Sequence, residues 1–245
     1  MLIDELPRQL IDWIRYSVLN TGCTGVVLGM SGGIDSSVIA VLCKYAFPDN
    51  MLGIVMPCYS NDTDREHAQK VADKFTIPVK TVDLDEVYNT FKKAVFSNYK
   101  DLDRMRLAES NIKPRLRMAT LYYYANLFNY AVVGATNRSE LEVGYFTKYG
   151  DGGVDILPIA MLVKTQVQQL AVYLGIPPEI INKAPSAGLW DGQTDEEEMG
   201  LVYEELDRYI LTGEGSAAVK DRTDMLSGKN RHKKSLPIIP NFTIE

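Results

Sequence analysis

The stretch Gly25-Val26-Val27-Leu28-Gly29-Met30-Ser31-Gly32-Gly33-Ile34-Asp35-Ser36-Ser37 decides the fold. Gly25 to Met30 is an apolar run short enough for a buried strand. The tight turn Ser31–Ser37 follows, and Ser36 to Phe47 reads as a helix. Adjacent glycines let backbone N–H groups converge, and a helix N-terminus adds its positive dipole, so the turn is built to cradle an anion. Ser31, Ser36 and Ser37 can donate hydroxyls to phosphate oxygens. The loop has neither the Gly-Lys-Ser/Thr ending of a Walker A motif nor the GxGxxG spacing of a dinucleotide fold. Asp35 is the unusual element: a carboxylate beside phosphates is repulsive unless a cation bridges them, which points to Mg²⁺. An isolated Ser or Asp at a helix start is ordinarily a cap. Strand, double glycine, Asp and two serines together argue for a site.

Working outward, Met51–Met56 is a second apolar strand stopped by Pro57, and Val79–Val82 a third. Tyr130–Ala135 supplies a fourth, after a long helical stretch from about Leu84 to Asn129, and Val154–Ile159 a fifth. Asp62–Phe75 and Leu162–Leu174 read as helices, the latter ended by Gly175 and Pro177. Leu6, Leu10, Trp13 and Ile14 give an amphipathic opening helix over Asp4–Ser17. Strands apolar throughout and separated by helices imply a parallel sheet covered on both faces. The expectation is an α/β protein: a single doubly wound domain over 1–245, with a mostly parallel sheet of about five strands flanked by helices. Met199–Leu211 adds an apolar-periodic helix near the end.

Composition bounds the function. The 245 residues are 46% hydrophobic and 24% charged, which excludes disorder and collagen-like architecture. The net charge of −6 excludes a broadly basic surface. No nucleic-acid partner is therefore expected, and any polyanion should meet its positive charge in a local pocket. No stretch approaches the length of an apolar membrane span. The N-terminus carries acids early and does not read as a secretory signal. Cys23, Cys43 and Cys58 have no metal-ligand spacing and read as buried thiols of a reducing, cytoplasmic compartment.

Other segments carry chemistry. Asn111-Ile112-Lys113-Pro114-Arg115-Leu116-Arg117 places two guanidinium forks beside a helix. Thr136-Asn137-Arg138-Ser139-Glu140 lies beyond the fourth strand's C-terminal end, where doubly wound sheets bind ligands. It leads into Phe146-Thr147-Lys148-Tyr149-Gly150-Asp151-Gly152-Gly153-Val154-Asp155. Here Glu140 can be a second metal ligand with Asp35, Lys148 can neutralise phosphate or an activated carboxylate, and Asp155 can accept from ribose or an amide. Residues 183–198 are turn-rich and then acidic, and 229–235 are basic; either segment suits a lid, or a plain solvated surface.

SGGIDSS resembles the pyrophosphate loop of the N-type ATP pyrophosphatases, which cleave ATP between its α and β phosphates. Within that group FTKYGDGG, the NxxxRxR segment and Lys183-Ala184-Pro185-Ser186-Ala187-Gly188-Leu189-Trp190 with Asp195-Glu196 are similar to the NAD synthetases. The resemblance covers almost the whole chain. It implies ATP-dependent amidation of deamido-NAD to NAD, the last step of NAD biosynthesis, through an acyl adenylate with release of AMP and pyrophosphate.

The same resemblance assigns residues. ATP would be bound by Gly29, Met30, Ser31, Gly32, Gly33, Ile34, Asp35, Ser36, Ala135, Lys164 and Ser186. Deamido-NAD would be bound by Arg115, Lys148, Asp155, His232 and Lys233, and Mg²⁺ by Asp35 and Glu140. Asp35, Lys148 and Lys164 would act electrostatically, with no covalent nucleophile. Two departures stand out: Ala135 replaces a threonine common in the family, with Thr136 adjacent, and Ser186 replaces another. Residues 183–198 match the family's mobile loop, and 229–245 its basic C-terminal tail. The chain leaves no space for a glutaminase, so ammonia is the expected nitrogen source, free or delivered by a separate glutaminase partner. The family is homodimeric. Leu116, Met118, Leu121, Tyr122, Tyr124, Leu127 and Phe128 load one helix with apolar side chains, which fits a dimer face or a buried internal helix. A different ATP pyrophosphatase, such as a tRNA-thiolating enzyme, has no use for FTKYGDGG. A nucleotide sensor has no need of Asp35, Glu140, Lys148 and Lys164 together.

Overall fold

The computed structural model describes residues 4–95, 100–186, 188 and 192–241. Its centre is a parallel sheet of β1 (Gly25–Gly29), β2 (Met51–Val55), β3 (Val79–Thr81) and β4 (Tyr130–Val132), in the order β3-β2-β1-β4. Val26 is in register with Met51 on one side and Ala131 on the other. Successive side chains of a strand point to opposite faces, and both faces are filled. Val26, Leu28, Ala131 and Val133 join one cluster, and Val27, Ile54 and Val132 the other.

The first cluster lies beneath α1 (Leu6–Asn20), α2 (Ile34–Ala46), α3 (Asp62–Phe75) and α8 (Lys164–Leu174). α2 is buried almost all round because α1 and α8 both pack on it, which explains its apolar composition from Val38 to Cys43. α4 (Asp85–Val95), α5 (Leu102–Ser110) and α6 (Ile112–Phe128) follow, with α4 and α6 covering the opposite face. A third, smaller cluster unites α7 (Arg138–Val143), α10 (Asp195–Met199), α11 (Tyr203–Thr212) and α12 (Ala217–Asn230). A short α9 (Pro178–Ile181) follows α8, and a 3-10 turn at Arg231–Lys234 follows α12.

The parallel α/β architecture matches the expectation; four details differ. Val154–Ile159 is no strand, and only Val133 and Ile156 form a parallel bridge. The Asp155 carboxylate accepts Val132 N at 2.7 Å and so takes a donor that a ladder would need. Pro158 has no N–H to extend pairing. The stretch 84–129 is three helices, with Asp101 capping the second and Pro114 in the first turn of the third. The helix expected at Met199–Leu211 is interrupted at Gly200, which has φ +65°, and resumes at Tyr203. α12 was not anticipated: its apolar residues are sparse, and only Val219 and Thr223 are buried. Ala187, Leu189, Trp190 and Asp191 of the expected mobile loop, and residues 242–245 of the tail, lie outside the described residues.

Candidate active site

Strand order reverses direction at β1, which has β2 on one side and β4 on the other. Loops leaving the C-terminal ends of β1 and β4 border the crevice where such sheets bind ligands. The β1 loop is held by its own serines. Ser36 and Ser37 hydroxyls donate to Gly33 O at 3.0 and 2.8 Å, and Ser31 and Ser36 hydroxyls lie 3.0 Å apart. Gly32 has φ +76°, and a Cβ there would stand 2.1 Å from Asp64 O on α3. The position therefore requires glycine both for conformation and for space.

Asp35 lies in the first turn of α2, Glu140 in the first turn of α7, and Lys164 is the first residue of α8. Their side chains meet. The Lys164 ammonium ion-pairs with Asp35 and lies 3.8 Å from Glu140 Oε1. Asn137 Nδ2 donates to Asp35 Oδ1 at 3.0 Å. The Asn137 side chain accepts from Glu140 N at 3.0 Å, while Glu140 Oε2 accepts from Asn137 N at 3.2 Å. This reciprocal capping box fixes α7 and joins both acids.

Burial and the Asp35 charge push the Glu140 carboxyl up to about 8, against the opposing pull of Lys164. Burial alone would lower the Lys164 ammonium; Asp35 and Glu140 outweigh it and raise its pKa. A third acid, Asp195, is also raised by burial. Its Oδ2 accepts from Tyr203 at 3.1 Å, and its Oδ1 is buried with no hydrogen-bond partner. The like-charge strain on Glu140 and the all-oxygen donors of Asp35 and Glu140 suit a hard divalent cation. Among the described residues no three His, Cys, Asp or Glu side chains are arranged to hold a metal. Protein ligation by two carboxylates, completed by phosphate and water, is the usual pattern for Mg²⁺.

A second group gathers around the FTKYGDGG turn. The Thr147 hydroxyl donates to Asn111 Oδ1 at 2.7 Å, and Arg115 Nη2 donates to Lys148 O at 3.5 Å. Lys148 Nζ donates to His232 O at 2.6 Å. Arg115, Lys148 and His232 are thus brought together from three distant segments. Lys233 is engaged differently: its Nζ donates to Gly144 O and Phe146 O at 2.8 and 2.9 Å, fastening the 3-10 turn to the segment before Lys148. Asp155 accepts from Tyr122 at 3.0 Å besides Val132 N. Arg117 donates to Met56 O and the Ser60 hydroxyl, both at 3.2 Å, and braces the end of β2.

Ala135 packs against the first cluster and Thr136 is buried, both on the loop after β4. Ser186 is exposed and accepts from Gly188 N at 3.1 Å. Its loop is drawn toward the β1 loop by an ion pair of Lys183 with Asp64, the residue that Gly32 touches. Asn137, Lys183 and Tyr203 had no place in the sequence-derived site. For Asn137 the N-x-x-E spacing to Glu140 was the available signal.

Fold and site together define a parallel α/β protein with a glycine-serine turn, two carboxylates and a buried lysine at the switch point of its sheet. The profile of the NAD synthase family matches residues 6–237, and the chain belongs to that family. It is 50% identical over 237 residues to the NH(3)-dependent NAD(+) synthetase of Carboxydothermus hydrogenoformans, covering 97% of each chain. Among solved structures it resembles NMN synthetase from Francisella tularensis, with TM-score 0.92, 36% identity, and 99% and 100% of the two chains covered. NH3-dependent NAD synthetase from Campylobacter jejuni gives TM-score 0.80 and 30% identity, over 98% and 100%.

Proposed function

We propose that this protein amidates deamido-NAD to NAD with ammonia, using ATP. The observation that carries the reading is the meeting of Asp35, Glu140 and Lys164 beside the Gly32–Gly33 loop, in a chain half identical to an ammonia-dependent synthetase. A carboxylate is a poor acyl electrophile because its leaving group would be oxide. Transfer of AMP from ATP onto the nicotinate carboxylate supplies a better one, and ammonia then displaces AMP. Gly32 and Gly33 amides with the Ser31 and Ser36 hydroxyls would hold the departing pyrophosphate. Lys164 would supply fixed positive charge at that end, and Lys148 with Arg115 at the deamido-NAD end. Mg²⁺ held by Asp35 and Glu140 would offset phosphate charge. No side chain need become covalently attached; the chemistry rests on orientation and fixed charge.

The loop 183–198 and the tail 229–234 would shield the adenylate from water. Tyr123 and Leu127 of α6 are 63% and 59% exposed, while Leu121 and Ala125 face the sheet. That helix thus has an apolar face left over, which supports a homodimer; a persistent 27.4 kDa monomer in light scattering would refute it. The three cysteines are free, in keeping with a cytoplasmic location. No helix among the described residues is long and apolar enough to cross a membrane.

The deciding assay supplies ATP, Mg²⁺, deamido-NAD and an ammonium salt. NAD, AMP and pyrophosphate are the expected products; ADP and phosphate would overturn the cleavage mode. Replacing ammonium with glutamine tests the nitrogen source. The likeness to NMN synthetase favours a second reading, amidation of the mononucleotide acid. Running nicotinate mononucleotide in parallel settles the order of preference by kcat/KM.

A further inference from the structure

Asp207 lies on α11, far in sequence from Asp35, Glu140 and Lys164, and it is buried. Both carboxylate oxygens are used. Oδ1 accepts the Ser139 hydroxyl and Oδ2 accepts Thr165 N at 2.8 Å. The Ser139 oxygen in turn accepts Lys164 N at 3.0 Å. One carboxylate therefore ties the start of α8, which carries Lys164, to the residue directly before Glu140. Four residues earlier on α11, and so on the same helix face, the Tyr203 ring lies 5.3 Å from the Lys164 ammonium. α11 thus grips Lys164 at both ends, its backbone through Asp207 and Ser139 and its charge through Tyr203.

α11 is docked by apolar packing as well as by this carboxylate. Leu206 and Tyr203 already bury the helix against Val143, Met199 and Val219. Removing a carboxylate from water is costly, and well-packed apolar residues often serve stability as well or better. What the carboxylate supplies is direction: two acceptors at fixed spacing, aimed at two donors on different helices. Its charge also complements the N-terminus of α8.

We propose that Asp207 is a positioning residue that sets where Lys164 stands relative to Glu140 and Asp35, and hence the charge offered to the ATP phosphates. The inference rests on the reading of that trio as the polyphosphate site.

The test uses the full chain carrying Asp207→Asn. Asparagine keeps the volume but turns an NH2 toward either the Thr165 amide or the Ser139 hydroxyl. Turnover should fall about 10-fold or more, as for other partners of site ligands. The Mg²⁺ concentration for half-maximal thermal stabilisation in the presence of ATP should rise several-fold. KM for deamido-NAD should stay within about two-fold, because Arg115 and Lys148 are held by other contacts. Val219→Ala, in the same apolar cluster but outside the network, is the control for stability loss. Unchanged turnover and Mg²⁺ midpoint in Asp207→Asn would overturn the proposal. So would equal losses in Val219→Ala at matched melting temperature. If Asp207→Asn does not fold, Ser139→Ala is read the same way, since it cuts the link to Lys164 and leaves Asp207 on Thr165. If the unaltered protein makes ADP and is not stabilised by Mg²⁺ with ATP, the reading of the site fails, and the proposal with it.

Discussion

Lys164 ion-pairs with Asp35 across 129 positions of sequence, joining the first residue of α8 to the first turn of α2. The ammonium is nearly fully buried and also faces Glu140. Breaking a buried pair from one side leaves an uncompensated charge, which costs about 3–5 kcal/mol. Lys164→Met keeps much of the side-chain volume and should lose about that much stability in urea unfolding. Adding Asp35→Asn should restore a large part of it. Neither variant should recover activity: loss of a fixed charge at a transferring phosphoryl group costs about 100-fold or more in kcat. Turnover within ten-fold of the unaltered protein would remove Lys164 from the chemistry.

Glu140 gives the protein a signed pH dependence. Its carboxyl sits at about 8 in the fold, against about 4.3 in an unfolded chain. Between those values the folded protein keeps a proton that the unfolded chain releases. The group's contribution to stability therefore declines as pH rises from about 4.3 to about 8. Glu140→Gln cannot ionise and escapes that decline. Without divalent cations, its stability relative to the unaltered protein should increase by about 1 kcal/mol or more between pH 5.5 and pH 8.5. Mg²⁺ at pH 8.5 should narrow the gap, because it binds the ionised carboxylate of the unaltered protein alone. A gap independent of pH would show that Glu140 titrates normally.

What could be read in the sequence followed range. The β1 loop was legible because strand, glycines, serines and Asp35 lie within a dozen or so neighbouring positions. β2 and α3 were legible for the same reason, through apolar runs and periodicity. Val154–Ile159 misled because its apolar residues suit a strand, whereas the neighbouring Asp155 carboxylate takes the Val132 amide. α7 is too short for periodicity to register, and α12 buries too little. Asp64 with Lys183, and Asp207 with Ser139, are pairs made only by the tertiary fold. Their separations of 119 and 68 positions leave no local pattern.

Gly32 separates ligand affinity from stability. A methyl group at this position would overlap Asp64 O and sit on a backbone with φ +76°. Strain of that kind costs about 1–3 kcal/mol, and because Gly32 is buried against the Asp64 backbone, the loop must shift to take the methyl group. Gly32→Ala should therefore raise KM for ATP about 10-fold, with a melting temperature lowered by only a few degrees. An unchanged KM for ATP would mean that the loop does not hold the phosphates.

The basic tail can be removed without undoing α12. In the full chain Asn230 Nδ2 donates to Val143 O at 2.8 Å, and a cut after Asn230 keeps both of these residues. The cut removes the Lys233 bonds to Gly144 O and Phe146 O and the His232 carbonyl that orients Lys148. Lys148 then loses its fixed direction while Asp35, Glu140 and Lys164 keep theirs. Thermal stabilisation by ATP with Mg²⁺ should persist, whereas KM for deamido-NAD should rise about 10-fold or more. If the tail also shields the adenylate, water will compete with ammonia and the AMP released per NAD formed will climb above unity. Near-normal turnover with a ratio of one would show that the basic tail neither orients Lys148 nor covers the intermediate.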